Sequence, residues 1–458
     1  MARLHELASL TLFRATPAQV LESRRRTWPE WGGVLTEEQY LERDNQMDAM
    51  EHATDSKTIT WVLAPRDNPN TLDFASACET YKRKGLVRYS GSREVQEATC
   101  YGVACVFTPP HKRGKGYASH MLRLLHWVTS RRTSEPGPLS HFPAERGVSP
   151  PEVEEVENGL FSILYSAVGD SFYWETGPGV EKSGGWETRH PISTIWEVPE
   201  QGEVEQGDTD NEWTALKYED LDAFWAKDVQ LIRRMMENLP LSSPDYHTER
   251  PTAFVTYLPD RGVGSFHIFR SMFAVDSIVS MDLWGIEKKG SCTDQPIYAT
   301  WTVDTKPLPP VLVITRLSAT EVDFPGLVKR IQEIARRNGI RKMEAWNVPS
   351  YLLEAAARTG GKTFARQKRL PALKWYGECA TAEVEWVFNE KYVYCRICKC
   401  GVTRSLDFVG ADGRTSGSWF TTFPARVSPL LRYQHGRSSA LQERIGIAMT
   451  QPIFPIYR

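Results

Sequence analysis

The chain has 458 residues, 41% of them hydrophobic and 24% charged, with 55 Lys and Arg against 57 Asp and Glu. A net charge of -2 offers no global field for nucleic acid or an anionic membrane, and the length exceeds the roughly 100–200 residues of one domain. No run approaches the ~20 apolar residues of a membrane span. Met1–Val20 lacks an apolar core and a cleavage site, so no secretory leader is expected. The eight cysteines lie mostly in apolar runs, as reduced core thiols of a cytoplasmic protein would.

In chain order, Leu10–Phe13 reads as a strand, and Thr16-Pro17 as an N-cap with proline at the first helical position. Thr36 and Gln39 have capping-box spacing, so a second helix starts there and carries Tyr40, Leu41, Met47 and Met50. Thr58–Ala64 and Leu72–Tyr81 read as strands on either side of an Asp-Asn-Pro-Asn turn, with a polar break over Ser90–Glu97.

Cys100–His126 is the stretch that organises the rest. Its apolar run Val103–Phe107 suits a buried strand. Thr108-Pro109-Pro110 then turns the chain into a basic loop, His111-Lys112-Arg113-Gly114-Lys115-Gly116, and a helical pattern carries Leu122, Leu125 and Val128. Strand, basic glycine loop and helix bring backbone N–H groups and a positive dipole end to one point, a seat for a phosphate or pyrophosphate. Gly114 and Gly116 allow close approach of an anion, and Lys112, Arg113 and Lys115 add charge. The loop fits neither the Walker pattern nor the dinucleotide fingerprint.

Arg131–Gly159, with five prolines and a Glu-rich end, reads as an irregular surface insertion, either a lid or a passive excursion. Phe161–Gly177 reads as a strand and a short helical stretch ending in Phe172-Tyr173-x-x-x-Gly177. Ile192–Val198 is a further strand, and the acidic, turn-rich Pro199–Asn211 is a linker. Beyond it, Leu221–Glu237 is an amphipathic helix, and Phe324–Asn338 is another that stops at Gly339. Strands are expected at Phe254–Leu258, Ser265–Met272, Ile297–Val303, Val311–Arg316, Lys342–Trp346 and Trp386–Tyr394. A helix opens at Pro349-Ser350-Tyr351, and Gly360-Gly361 is a helix stop. Cys395-x-x-Cys398-x-Cys400 has no second Cys/His pair at a zinc spacing, so no metal is expected, and 396–458 reads as a loosely ordered extension.

The basic loop is similar to the acyl-CoA loop of the GCN5-related N-acetyltransferases (GNATs), Gln/Arg-x-x-Gly-x-Gly/Ala. It fits in either of two registers, Arg113 to Ala118 or His111 to Gly116. The downstream strand with Phe-Tyr-x-x-x-Gly resembles the next part of the same superfamily. More closely, five segments in order across about residues 8–395 resemble the fungal lysine N6-acetyltransferases of lysine catabolism. They are Leu35–Asp44 (LTEEQYLERD), Ser76–Tyr81 (SACETY), Val106-Phe107-Thr108, Leu164-Tyr165-Ser166 with Gly169, and Asn389-Glu390-Lys391-Tyr392.

The resemblance implies an α/β (α+β) GNAT fold with a second GNAT-like α/β domain. Residues 1–198 would be the acetyl-CoA-binding catalytic domain, 199–211 a linker and 212–395 the second domain. It implies that acetyl-CoA binds to Val106, Phe107 and Thr108 at the strand end and to His111, Lys112, Arg113, Gly114, Lys115, Gly116, Tyr117 and Ala118. The strand end would offer a backbone N–H to the thioester carbonyl. Tyr173 would protonate the departing thiolate, a phenol of pKa ~10 giving its proton to a sulfur of pKa ~8.5. The expected reaction is acetyl transfer to the ε-amine of free L-lysine, so the partner is a small molecule rather than nucleic acid or a membrane.

The general base stays open between Glu79 and Glu97, because Cys100 stands where some relatives carry a carboxylate. His111, His120 and His126 read as structural. Two departures stand out, the proline-bound Glu175-Thr176-Gly177-Pro178 turn and Ala167, rather than an acidic residue, after Ser166. Acetylation of another amine, a polyamine or a protein lysine, is the sibling reading. A catalytically silent CoA-binding interaction protein is the rival from another class.

Overall fold

The computed structural model describes residues 6–130, 139, 141–200, 212–275, 279, 281–305 and 307–393. The cysteine motif at 395–400, the extension, most of the linker and the start of the insertion lie outside the described residues.

The first half runs β1 (Leu10–Arg14), α1 (Pro17–Trp31), α2 (Glu37–Asp48), β2 (Thr58–Pro65), β3 (Ser76–Tyr89) and β4 (Gln96–Phe107). It continues with α3 (Tyr117–Thr129), β5 (Phe161–Ser166), α4 (Ser171–Trp174), β6 (Glu187–Thr188) and β7 (Ile192–Glu197). Both early helices start on capping boxes: Thr16 with Gln19 for α1 and Thr36 with Gln39 for α2, each exchanging two bonds at 2.9–3.3 Å.

The second half runs β8 (Trp213–Leu216), α5 (Leu221–Glu237), β9 (Ala253–Tyr257), α6 (Ser265–Val275), β10 (Gly285–Lys288), β11 (Tyr298–Asp304) and β12 (Val311–Ser318). Then come α7 (Phe324–Arg337), β13 (Lys342–Trp346), α8 (Ser350–Arg358), β14 (Lys362–Ala365), β15 (Leu370–Trp375) and β16 (Val384–Trp386).

Two sheets result, and their orders repeat one another. The first is β1-β2-β3-β4-β5-β15-β6, with β9 added beside β3 and β16 beside β9; the second is β8-β10-β11-β12-β13-β7-β14. In each, a strand is followed by a helix (β4 by α3, β12 by α7) and pairs in parallel with the next strand over three residues. In each half, the strand that follows β6 or β14 leaves its own sheet and enters the other. β7 lies between β13 and β14, and β15 lies between β5 and β6. A boundary at 198 therefore does not separate the two sheets, because Ile192–Glu197 belongs to the second one by pairing and Leu370–Trp375 to the first.

Three expectations are corrected. Ser265–Met272 is part of helix α6; its apolar residues 266, 268, 269 and 272 suit either period, and a short run of that kind cannot decide between them. The last strand stops at Trp386, because Phe388 takes a left-handed φ of 53° and Lys391–Val393 is a 3-10 turn. The strand expected at Leu72–Tyr81 is β3, beginning at Ser76 and running on through Lys82, Arg83 and Lys84 to Tyr89.

α3 covers one face of the first sheet, where Met121, Leu122, Leu124 and Leu125 pack on Val103, Val106 and Leu164. The opposite face, with Ala104, Phe161 and Tyr165, is buried in one core with Trp196, Trp346 and Trp386.

Candidate active site

The site begins with a defect in the sheet. Ala77 pairs with Phe107 and Glu79 with Ala104, so β4 carries one residue more than β3, and Cys105 sits in this bulge at φ 52°. β4 and β5 pair only over Cys100–Gly102 and Phe161–Ile163, leaving Val103–Phe107 and Leu164–Ser166 without a ladder between them. The two strands thus part towards their C-terminal ends, a place where a ligand can enter between strand edges. The second sheet repeats the bulge, with Thr300 opposite Arg316 and Trp301 opposite Ile314. Its turn into α7, however, carries Glu321 and Asp323, the latter bound to Lys288 at 2.8 Å, where the first half has glycines and lysines.

The open end leads to a cavity of about 470 Å³. Thr108, Lys112, Arg113, Gly114, Gly116, Tyr117 and Ala118 line it, so most of the sequence-predicted loop is brought to one place. His111 and Lys115 are exposed and do not line it, while Val106 and Phe107 are buried in β4 behind it. Gly114 and Gly116 take φ of 77° and 85°, a region that favours glycine. Gly116 is also the N-cap of α3, so the first N–H groups of that helix have no capping side chain.

The loop is braced before anything binds. Ser76 donates from its hydroxyl to the Phe107 carbonyl at 2.9 Å. Lys112 Nζ binds a carboxylate oxygen of Asp73 at 2.6 Å, and Arg113 Nε donates to the Thr108 carbonyl at 3.0 Å. The Lys112 bond holds the Asp73 carboxyl below its ordinary range.

Sequence reasoning missed the far wall, which Arg123, Arg146, Phe172, Glu175, Val180 and Lys182 supply. Arg123 donates to the carbonyls of Gly177 (3.0 Å), Gly179 (2.7 Å), Glu181 (2.7 Å) and Glu175 (2.5 Å). Arg146, from the insertion, adds bonds to Gly179 and Val180 at 3.2 and 3.4 Å. The proline-bound turn noted in the sequence is therefore a loop wrapped around a buried guanidinium. Burial, aided by the neighbouring Arg146, lowers the Arg123 pKa to about 10. Its tight course needs glycine, since a Cβ on Gly177 would stand 2.0 Å from the Ser183 carbonyl oxygen. The signal was present only as an arginine among apolar helix residues, which α3 turns inward.

Tyr173 lies on α4, 1% exposed, in the same core cluster as Val106, Leu122 and Leu164. Phe172 and Trp186 meet its ring edge-on, at centroid distances of 5.0 and 6.3 Å. His120 lines the cavity, and burial pushes its pKa down to about 4, so it is a neutral ring near neutral pH. His126 stacks on Trp186 at 4.2 Å and is held by Tyr376 (2.8 Å) and the Thr176 carbonyl (3.0 Å).

The candidate bases separate by position. Glu97 is near the start of β4, ion-paired with Arg233. Glu79 is 6% exposed beside the bulge and accepts a 2.6 Å bond from the Tyr81 hydroxyl. Asp44 and Asp48 of α2 approach the same region, tied to Arg43 at 2.7 Å and Arg24 at 2.6 Å. Cys100 is buried, its thiol pushed up by desolvation, next to the Arg83 carbonyl. Among the described residues no group of three or more His, Cys, Asp and Glu could hold a metal ion, and no helix is long and apolar enough to cross a membrane.

Residues 197–395 match the family model of the LYC1 GNAT-like C-terminal domain. An uncharacterized protein of Saccharomyces cerevisiae is 22% identical over 405 residues, covering 80% of this chain and 92% of its own. A Yarrowia lipolytica protein named lysine acetyltransferase is 28% identical over 108 residues, about a quarter of either chain (24% and 26%). Among solved structures, the GCN5-related N-acetyltransferase from Anabaena variabilis superposes at a TM-score of 0.45 and 12% identity, covering 81% of this chain and 74% of its own. That from Kribbella flavida does so at 0.43 and 13%, covering 80% and 72%.

Proposed function

We propose that this chain is a GNAT-type acetyltransferase, its residues 197–395 resembling the LYC1 GNAT-like C-terminal domain, and that it acetylates the ε-amine of free L-lysine, giving N6-acetyl-L-lysine in cytoplasmic lysine catabolism. The observation that carries the acetyl-CoA half is the electropositive cavity at the open end of β4 and β5. Lys112, Arg113, Arg123, Arg146 and Lys182 surround it against Glu175, and left-handed glycines lead into an uncapped helix start. That combination suits a pyrophosphate. The lysine half is supported by the name of the Yarrowia relative and by Glu79 beside the bulge, a carboxylate that favours a cationic acceptor.

In this reading the glycine loop and the start of α3 hold the phosphates of acetyl-CoA, which supplies the acetyl thioester. The backbone at Val106–Thr108 holds the carbonyl oxygen, whose negative charge grows as the amine attacks. Tyr173, buried beside Val106, gives its proton to the departing sulfur. The bulge at Cys105 is what turns the strand end towards the ligand.

The test is thiol release from acetyl-CoA on adding L-lysine, with spermidine and a lysine-containing peptide as other acceptors and Tyr173→Phe as a variant. Release with lysine alone, falling at least tenfold in the variant, supports the substrate and the acid. Release with another amine instead moves the acceptor. Acetyl-CoA binding with no release for any amine supports the silent binding protein.

A further inference from the structure

We infer that Glu79 takes the proton from the acceptor amine, an inference that rests on the acetyl-transfer reading above. An alkylammonium of pKa about 10.4 is almost wholly protonated near pH 7, so transfer to nitrogen needs a proton acceptor beside the acetyl carbon. Such a group must stand beside the bulge and within reach of the gap where β4 and β5 part.

Glu79 meets both conditions. It is the β3 residue directly across from Ala104, the last paired residue before the bulge. Directly opposed residues project to the same face, so Glu79 and Ala104 share one. The alternation of β3 agrees, since Thr80, bound by Trp61 Nε1 at 2.8 Å, faces the other way. Across the gap between β4 and β5, Tyr165 shares the core cluster of Ala104, so the acceptor would lie between Glu79 and Tyr165.

The surroundings keep Glu79 in place. The Tyr81 hydroxyl donates to one carboxylate oxygen at 2.6 Å. The Arg24 guanidinium, bound to Asp48, lies within electrostatic reach of Glu79 and Asp44. Glu97 cannot serve, because it lies near the outer end of β4 with Arg233.

The step balances without another reagent. Glu79 accepts one proton from the ammonium, freeing the nitrogen lone pair. A C–N bond forms as the C–S bond breaks. Glu79 releases its first proton to solvent before it takes the second one lost by nitrogen, while the sulfur receives a proton from Tyr173, whose phenolate regains one of those two. The sum is ammonium plus thioester giving amide, thiol and one proton.

The experiment compares the full chain with Glu79→Gln and Glu79→Asp, measuring kcat and KM for lysine and the Kd for acetyl-CoA. Loss of a positioned base is worth roughly 100- to 10,000-fold. The expected result is a fall of kcat by at least 100-fold in Glu79→Gln, with acetyl-CoA affinity within twofold. Glu79→Asp, which keeps the carboxylate one methylene further back, should lie between the two. An unchanged kcat in Glu79→Gln overturns the inference alone, as does Glu79→Asp no faster than Glu79→Gln, which would make the loss one of packing. Absence of transfer by the unaltered chain overturns the underlying reading and the inference together.

Discussion

The guanidinium of Arg123 donates to the Gly177 carbonyl at 3.0 Å, across 54 residues of sequence, and so joins α3 to the loop after α4. The glycine loop sits at the start of α3 and Tyr173 sits on α4, so this contact links the loop proposed to hold the phosphates to the proposed acid.

Replacing Arg123 with Ala should therefore damage more than charge. The carbonyls of Glu175, Gly177 and Glu181 lose this donor at once, while Gly179 keeps Arg146, and acceptors left unpaired cost about 1–3 kcal/mol each where water cannot reach them. Acetyl-CoA binding is expected to weaken at least tenfold, with a lower melting temperature. Calorimetric titration and a thermal scan check both.

Gly116→Val tests the loop geometry. The position holds φ 85° and is the N-cap of α3, so a branched residue there costs about 1–3 kcal/mol in backbone strain. Acetyl-CoA affinity should fall at least tenfold while the circular dichroism spectrum stays that of the unaltered chain.

His120 predicts a pH dependence of stability. Burial holds its folded pKa at about 4, below the ~6.5 of an unfolded histidine. Between those values the unfolded chain binds a proton that the folded chain does not, so the stabilisation is complete above pH 6.5 and is lost as pH falls towards 4. The group contributes roughly 3 kcal/mol over the full window. Denaturant unfolding at pH 7, 6 and 5 should show a shallower loss in His120→Gln than in the unaltered chain.

The exchanged strands predict that neither half folds alone. Residues 1–200 lack β15, which pairs with β5 over six residues, and residues 212–393 lack β7, which pairs with β13 over five. Each half expressed separately is expected to aggregate, and the two coexpressed should copurify as a complex. A monomeric, cooperatively unfolding 1–200 would contradict the pairing.

Much of this was readable from local signals. Thr16, Thr36, the helix stop at Gly339 and the strand Lys342–Trp346 all announce themselves within a few residues, and the structure forms them there. The glycine loop was readable because it is one continuous segment. Arg123, Arg146 and Lys182 were not, since their meeting depends on α3, the insertion and the loop after α4 arriving together. The exchange of β7 and β15 was also hidden. Each is an ordinary strand pattern, and nothing in its own residues says which sheet it will join.

That exchange also constrains how such a chain can evolve. A lineage cannot shed the half that carries Glu321 and Asp323 in place of a glycine loop, because the strand flanking β5 would be deleted with it. Selection acting only on the first cavity still preserves the backbone of the second half. Its side chains can drift most freely where, unlike Trp346 and Trp386, they do not pack against the first sheet.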